Sequence, residues 1–277
     1  MYNSSGLKKV VTEKWGINLV RVAIDPAFID SLLPEIDKLI SFADENGMYC
    51  ILTPFPSDRK YDPSRVRGDD QLPVPDTLVE EVMGRLADHH KDKGNVLYGL
   101  WNEPHPEDIR GLWNDYNKAW QVWLDAGTKV AKAIRAKHPK SILVVPGGRY
   151  WARDLTYYRD HPFPFDNVIY DIHDYKSNIP EYKRELWTWA IGKYPVLIGE
   201  FGGACCPDRD PPVESDFDIN YMRDVLQIAN QNPGLVHYTM WYLGTWIGGV
   251  FDSKFNLTRR GKLLQEDLAK YPPARFR

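Results

Sequence analysis

Residues 96–104 read Val96-Leu97-Tyr98-Gly99-Leu100-Trp101-Asn102-Glu103-Pro104, an apolar run that opens onto a glutamate. Residues 195–203 repeat the arrangement in Pro195-Val196-Leu197-Ile198-Gly199-Glu200-Phe201-Gly202-Gly203. Short apolar runs that are closed by turn-forming residues are typical of buried strands in a parallel sheet. The pattern therefore predicts two strands that each end at a carboxylate, Glu103 and Glu200.

Strand-like runs alternate with longer amphipathic segments along the whole chain. Seven runs predict strands over residues 18–24, 49–55, 95–103, 141–148, 167–175, 195–202 and 234–243. Helical periodicity predicts helices over residues 7–15, 30–46, 76–91, 113–137, 180–193, 217–231 and 262–270, with a shorter piece over 151–159. Such alternation is typical of a parallel sheet covered by helices.

The strand count bears on how the sheet closes. A closed (β/α)8 barrel needs eight strands, and the sequence supplies seven. An open doubly wound sheet also accommodates seven strands, but the glycine-rich nucleotide signature that such sheets carry after their first strand is absent. We therefore expect an α/β fold of the (β/α)8 TIM-barrel type that lacks its first β-strand, with residues 1–277 forming a single domain.

Composition excludes several classes of function. The net charge of −3 arises from 35 basic and 38 acidic residues, so no overall field favours nucleic acid. Three cysteines without Cys/His ligand spacing predict neither a disulfide framework nor a metal site. The chain shows no signal-peptide pattern at its first residues and no membrane-spanning segment. No cofactor is expected, and neither a membrane nor nucleic acid is expected as a partner.

Aromatic content is high, with 10 Trp and 16 Tyr. A tryptophan-rich core explains part of it, but sugar rings also stack their C–H faces on indole and phenol rings. Two carboxylates at two strand ends are the groups that a retaining glycosidase requires. Glycoside hydrolysis is therefore the leading hypothesis from these residues.

Asn102-Glu103-Pro104 after one strand and Gly199-Glu200-Phe201-Gly202 after a later one resemble the paired signatures of glycoside hydrolase family 5, whose members are retaining (β/α)8 glycosidases. The resemblance extends over about residues 7–261. It implies that Glu103 is the acid/base, that Glu200 is the nucleophile, and that Asn102 binds the sugar 2-hydroxyl. It also implies that Arg21 keeps the nucleophile ionised, which agrees with the cost of an unpaired cation inside an apolar strand.

The resemblance implies further substrate contacts. His173 and Tyr175 are two residues apart on a strand and share a face, and their family counterparts lie near the bond that is cut. Trp241 matches the tryptophan that forms the floor of a sugar subsite. Trp151 and Trp246 are candidate stacking platforms, although simple packing explains each equally well. The pattern His-x-Tyr also differs from the His-x-His of metal-dependent amidohydrolase barrels.

One family residue is missing. Where the family carries a histidine at the end of its third strand, in an Asp-x-His context, this chain reads Thr53-Pro54-Phe55-Pro56-Ser57-Asp58. His89 and His90 cannot replace it, because they fall on a predicted helix, where we expect them on a solvated face. The departure affects one subsite and leaves the carboxylate pair intact.

The resemblance implies an endo-β-1,4-glucanase acting on a polysaccharide or oligosaccharide, and hence an extracellular location. The motifs leave a β-mannanase and an exo-β-glucosidase open, as well as a non-catalytic carbohydrate-binding barrel or a truncated, poorly folded fragment. The missing strand also predicts exposed edges along 18–24 and 234–243, which attract further strands. Residues 1–6, a second chain through self-association, or direct closure of seven strands could cover them.

Overall fold

A computed structural model describes residues 15–55, 72–109, 111–175, 183–202, 214–244 and 249–271. Within these ranges, one sheet contains seven parallel strands, paired in the order β1 to β7. The strands are β1 (Leu19–Ile24), β2 (Tyr49–Pro54), β3 (Val96–Gly99), β4 (Ile142–Pro146), β5 (Val168–Tyr175), β6 (Val196–Gly202) and β7 (Val236–Tyr238). The predicted seven-stranded α/β sheet is therefore confirmed.

Helices connect the strands. The α-helices of the described residues are α1 (Ile29–Glu45), α2 (Thr77–His89), α3 (Tyr116–Lys137), α4 (Glu185–Thr188), α5 (Asp216–Gln231) and α6 (Arg259–Lys270). Four of them begin at a side chain that accepts a hydrogen bond from the first turn, namely Asp76, Asp115, Ser215 and Thr258. No helix of the described residues is long and apolar enough to cross a membrane.

Several predicted elements are longer than the observed ones. The strand predicted over 95–103 ends at Gly99, so Asn102 and Glu103 lie in the loop after β3. The strand predicted over 234–243 is reduced to Val236–Tyr238, and the helix predicted over 180–193 is reduced to α4. The helix predicted over 7–15 lies outside the described residues except for Trp15.

The core has two layers, because alternate strand residues face opposite sides of the sheet. One layer packs between the sheet and the helices and includes Tyr98, Trp120 and Trp123, all with 0% exposure. The other layer lies on the opposite face and consists of Ile51, Leu97, Val144 and Leu197 from four strands. The inward face of the strands is thus filled by apolar residues below the polar groups at their carboxyl ends.

The sheet has a seam between its first and last strands. β1 and β7 are the two edges of the hydrogen-bonded order in the described residues. A cavity of about 750 Å³ is lined by both edges, including Val20 and Val22 on one side and Tyr238 and Met240 on the other. The seam is therefore where a first barrel strand would be expected.

Candidate active site

The predicted polar residues converge from four strands. Arg21 comes from β1, Asn102 and Glu103 from the loop after β3, His173 from β5 and Glu200 from β6. His173 and Glu200 lie in the carboxyl-terminal halves of their strands and Asn102 and Glu103 follow β3, at the edge where parallel α/β proteins place their sites, and the long side chain of Arg21 reaches them from the middle of β1. The structure brings these residues into direct contact.

Arg21 is the centre of the network. Its Nη1 donates to Glu200 Oε1 at 2.8 Å and its Nη2 donates to Asn102 Oδ1 at 2.7 Å. The Arg21 and Glu200 side chains are 5% and 7% exposed. A buried cation requires such partners, so Arg21 fixes Glu200 and Asn102 relative to each other.

Tyr175 completes the hydrogen bonding of Glu200. Its Oη donates to Glu200 Oε2 at 3.1 Å, while Arg21 occupies Oε1. Each carboxylate oxygen of Glu200 thus has a donor, and the side chain is held in one orientation.

His173 lies between the two glutamates. Its Nε2 lies 3.4 Å from Arg21 Nη2, and its Nδ1 lies 2.8 Å from Glu103 Oε1 and 3.6 Å from Glu200 Oε2. A guanidinium only donates, so Nε2 accepts and Nδ1–H donates to Glu103. Burial lowers the pKa of His173, which favours this neutral tautomer.

Donor atoms of Glu103, His173 and Glu200 lie within 4.8 Å of one another, a spacing that a metal ion could bridge. The proton on His173 Nδ1 faces both carboxylates, so no imidazole lone pair points between them. The guanidinium of Arg21 already supplies a positive charge to Glu200. The hydrogen-bond pattern therefore directs a proton of His173, rather than an imidazole lone pair, toward the two carboxylates.

A β-bulge sets the direction of Glu200. The register between β5 and β6 shifts after Ile172, so that His173 pairs with Glu200 and Gly199 is the additional residue. A Cβ atom on Gly199 would lie 2.2 Å from Asp171 Oδ1, which requires glycine there. Bulges of this kind redirect side chains beside active sites, and here the bulge places Glu200 level with His173.

The aromatic candidates have different surroundings. The ring of Trp151 stacks on His105 with a centroid distance of 5.3 Å, and the backbone N–H of Trp151 donates to Pro104 O at 3.2 Å, next to Glu103. Trp241 lines the seam cavity together with Arg21. Trp246 lies outside the described residues.

Glu107 is a supporting residue that the sequence patterns did not indicate. Residues 150–152 all have positive φ, an unfavourable conformation for non-glycine residues. The buried carboxylate of Glu107 accepts from the N–H of Tyr150 at 2.8 Å and so holds this segment beside Glu103. No local motif marks such a contact, because the two partners belong to different loops.

We expect Glu107→Gln to change how stability depends on pH. Burial raises the pKa of Glu107 to about 7 from an ordinary value of 4.5. The folded state therefore binds a proton more tightly than the unfolded state, and stability falls as pH rises from 4.5 through 7. Relative to wild type, the variant should gain roughly 3 kcal/mol in free energy of unfolding between pH 4.5 and pH 8.

Urea unfolding at several pH values measures this gain. The exposed Glu81→Gln is the matched control and should follow the wild-type curve. Parallel curves for wild type and Glu107→Gln would contradict the assignment of this proton to Glu107.

Comparison with known proteins identifies the family of this chain and its relatives. The model of the family described as cellulase (glycosyl hydrolase family 5) matches residues 4–245. Endoglucanase A of Butyrivibrio fibrisolvens is 27% identical over 213 residues, covering 73% of this chain and 44% of the relative. Endoglucanase 1 of Robillarda sp. (strain Y-20) is 26% identical over 253 residues, covering 78% and 59%. The chain thus spans about half the length of these curated relatives.

Solved structures show the same fold. The β-glucanase SdGluc5_26A of Saccharophagus degradans superposes with a TM-score of 0.75 at 23% identity, covering 96% of this chain and 82% of that one. The catalytic domain of Thermobifida fusca endoglucanase Cel5A superposes with a TM-score of 0.72 at 18% identity, covering 96% and 85%. These likenesses support the TIM-barrel type of fold for this chain.

Proposed function

The chain belongs to the cellulase family, glycosyl hydrolase family 5, and on this premise we propose that it is a retaining endo-β-1,4-glucanase. The observation that carries the proposal is the pairing of two carboxylates through Arg21 and His173. One oxygen of Glu103 lies within 4.8 Å of one oxygen of Glu200. Retaining enzymes hold their carboxyl groups about 5 Å apart, whereas inverting enzymes leave about 6.5–9.5 Å for a water molecule.

In the proposed first step, Glu200 attacks the anomeric carbon and forms a covalent bond to it. The glycosidic C–O bond breaks, and its electron pair stays with the departing oxygen. Glu103 donates a proton to that oxygen. Glu103 then removes a proton from water, which attacks the same carbon and releases Glu200. The donors around Glu200 support this division, since Arg21 places a positive charge against the carboxylate that attacks and Tyr175 donates to its second oxygen.

The residues around Glu103 and Glu200 are the proposed substrate contacts. Asn102, held by Arg21 beside Glu200, would bind the sugar 2-hydroxyl. His173 and Tyr175 would border the scissile bond, since each contacts a proposed catalytic glutamate. Trp241 and Trp151 would stack on sugar rings, and we retain Trp246 as a third platform from its sequence context.

The choice of a β-1,4-glucan as the substrate rests on the proteins to which this chain is similar. The two curated relatives described above are endoglucanases. The β-glucanase of Saccharophagus degradans has been crystallised with cellotetraose. A polymeric glucan is encountered outside cells, so we propose an extracellular location. We also propose that residues 1–277 form one catalytic domain.

A polysaccharide panel with reducing-end detection tests the proposal. Carboxymethylcellulose should give new reducing ends together with a rapid fall in viscosity, which indicates internal cleavage. Faster release from β-mannan would instead identify a mannanase, and release of glucose without loss of viscosity would identify an exo-β-glucosidase. Glucan binding without any release of reducing ends would contradict catalysis and support a carbohydrate-binding protein.

We also propose that the chain self-associates through the seam. The edges of β1 and β7 present backbone groups without a strand partner in the described sheet, beside a cavity of about 750 Å³. Such edges attract additional strands, and a second copy of the chain supplies one. Sedimentation velocity over a hundredfold concentration range should detect a dimer, whereas a strict monomer throughout would contradict the proposal.

A further inference from the structure

A second group of titratable side chains lies on the outer helical layer, between α1 and α2. Asp37 belongs to α1, His89 is the last residue of α2, and His90 follows directly. Asp37 Oδ1 lies 3.0 Å from His89 Nε2 and 2.9 Å from His90 Nε2. The expectation of a solvated face is wrong for His90, which is 3% exposed, because the chain leaves the helix there and turns its ring inward.

The hydrogen bonding of His90 requires an additional positive charge. His90 Nδ1 lies 3.0 Å from the Leu86 carbonyl oxygen, which only accepts, so Nδ1 must carry a hydrogen. A neutral ring then presents a lone pair at Nε2, and this atom faces the carboxylate of Asp37, which also only accepts. Two acceptors in contact need either a further proton, on the ring or on the carboxyl group, or a cation between them.

The arrangement matches that of a metal-binding histidine. Such a histidine donates from one ring nitrogen to a carboxylate or backbone carbonyl and binds the metal through the other. The three donor atoms of this cluster lie within 4.8 Å of one another. Tetrahedral zinc, with ligands at about 2.0–2.1 Å, separates its donor atoms by about 3.3 Å. Small side-chain movements would therefore admit the ion.

We propose that Asp37, His89 and His90 bind one Zn²⁺ ion, with water as the fourth ligand. Two imidazoles and a carboxylate are a donor set that suits zinc. The ion can enter from solvent, since the side chains of Asp37 and His89 are 41% and 44% exposed. Zinc here would join α1 to α2 and restrain the helix that follows the edge strand β1.

The test uses the full chain, freed of metal with a chelator, and zinc chloride as the probe. Calorimetry should show one equivalent bound at this cluster. At free zinc one hundred times the Kd, the midpoint of thermal unfolding should rise by about 5 °C. His89→Ala and Asp37→Asn should each weaken binding at least tenfold. Both residues are partly exposed, so the variants should fold, which the midpoint without metal verifies.

Two controls separate this site from others. Glu200→Gln should retain zinc binding, which separates the cluster from Glu103, His173 and Glu200, whose donor atoms also lie within 4.8 Å of one another. His161→Ala removes an exposed histidine elsewhere and should bind zinc as wild type does. Cobalt(II) added in place of zinc should give visible absorption bands that are lost in His89→Ala. No zinc binding, or binding unchanged in His89→Ala and Asp37→Asn, would overturn the proposal and leave a proton shared between His90 and Asp37.

Discussion

Replacement of Glu200 with glutamine is expected to lower the rate of glucan hydrolysis by at least about 10⁴-fold. Glutamine preserves the size of the side chain but cannot attack the anomeric carbon, so the covalent intermediate does not form. The donors Arg21 and Tyr175 would remain around the amide, which keeps the site assembled. Reducing-end release measured under single-turnover conditions gives the loss.

Chemical rescue distinguishes a nucleophile from a structural residue. In Glu200→Ala, added azide should restore cleavage of an activated aryl glycoside and yield a glycosyl azide of inverted configuration. Circular dichroism should match wild type, and the exposed Glu185→Gln should retain full activity. Near-normal hydrolysis by Glu200→Gln would show that another group attacks the sugar and would remove the basis of the proposed mechanism.

The sheet and the charge network were predictable because each leaves a local mark in the sequence. Buried strands appear as apolar runs, and the seven predicted runs contain the seven observed strands. Arg21 is a cation inside one such run, so burial alone implied an anionic partner, and Glu200 occupies that position. Asn102 and Glu103 follow another run and therefore reach the same edge of the sheet.

Contacts between elements that are distant in the sequence leave no such mark. The bulge at Gly199 depends on the Asp171 side chain of the neighbouring strand, which local patterns do not reveal. Trp113 has helical spacing to the buried Trp120 and Trp123, but it is 43% exposed. The helix predicted from residue 113 begins only at Tyr116, after the capping residue Asp115, so Trp113 lies outside it. The contact of Asp37 with His89 and His90 is likewise not predictable from local patterns, because these residues come from two different helices.

Replacement of Glu103 with glutamine should affect substrates unequally. Polymeric glucan has a poor leaving group and needs protonation, so its hydrolysis should fall by about 10²–10⁴-fold. An aryl glycoside with an acidic phenol leaves without a proton, so its first turnover should stay near the wild-type rate and its product should appear as a burst. The later turnovers should be slow, because the base that activates water is also lost.

The unequal effect of Glu103→Gln on the two substrates follows from the contacts around Glu103. Glu103 accepts from His173, whereas Arg21 and Tyr175 donate to Glu200, so Glu103→Gln leaves the nucleophile and its donors in place. A variant of Glu103 therefore retains attack and loses proton transfer, while a variant of Glu200 loses attack on every substrate. Stopped-flow detection of the released phenol compares the two variants directly. Equal losses on both substrates in Glu103→Gln would contradict its assignment as the acid/base.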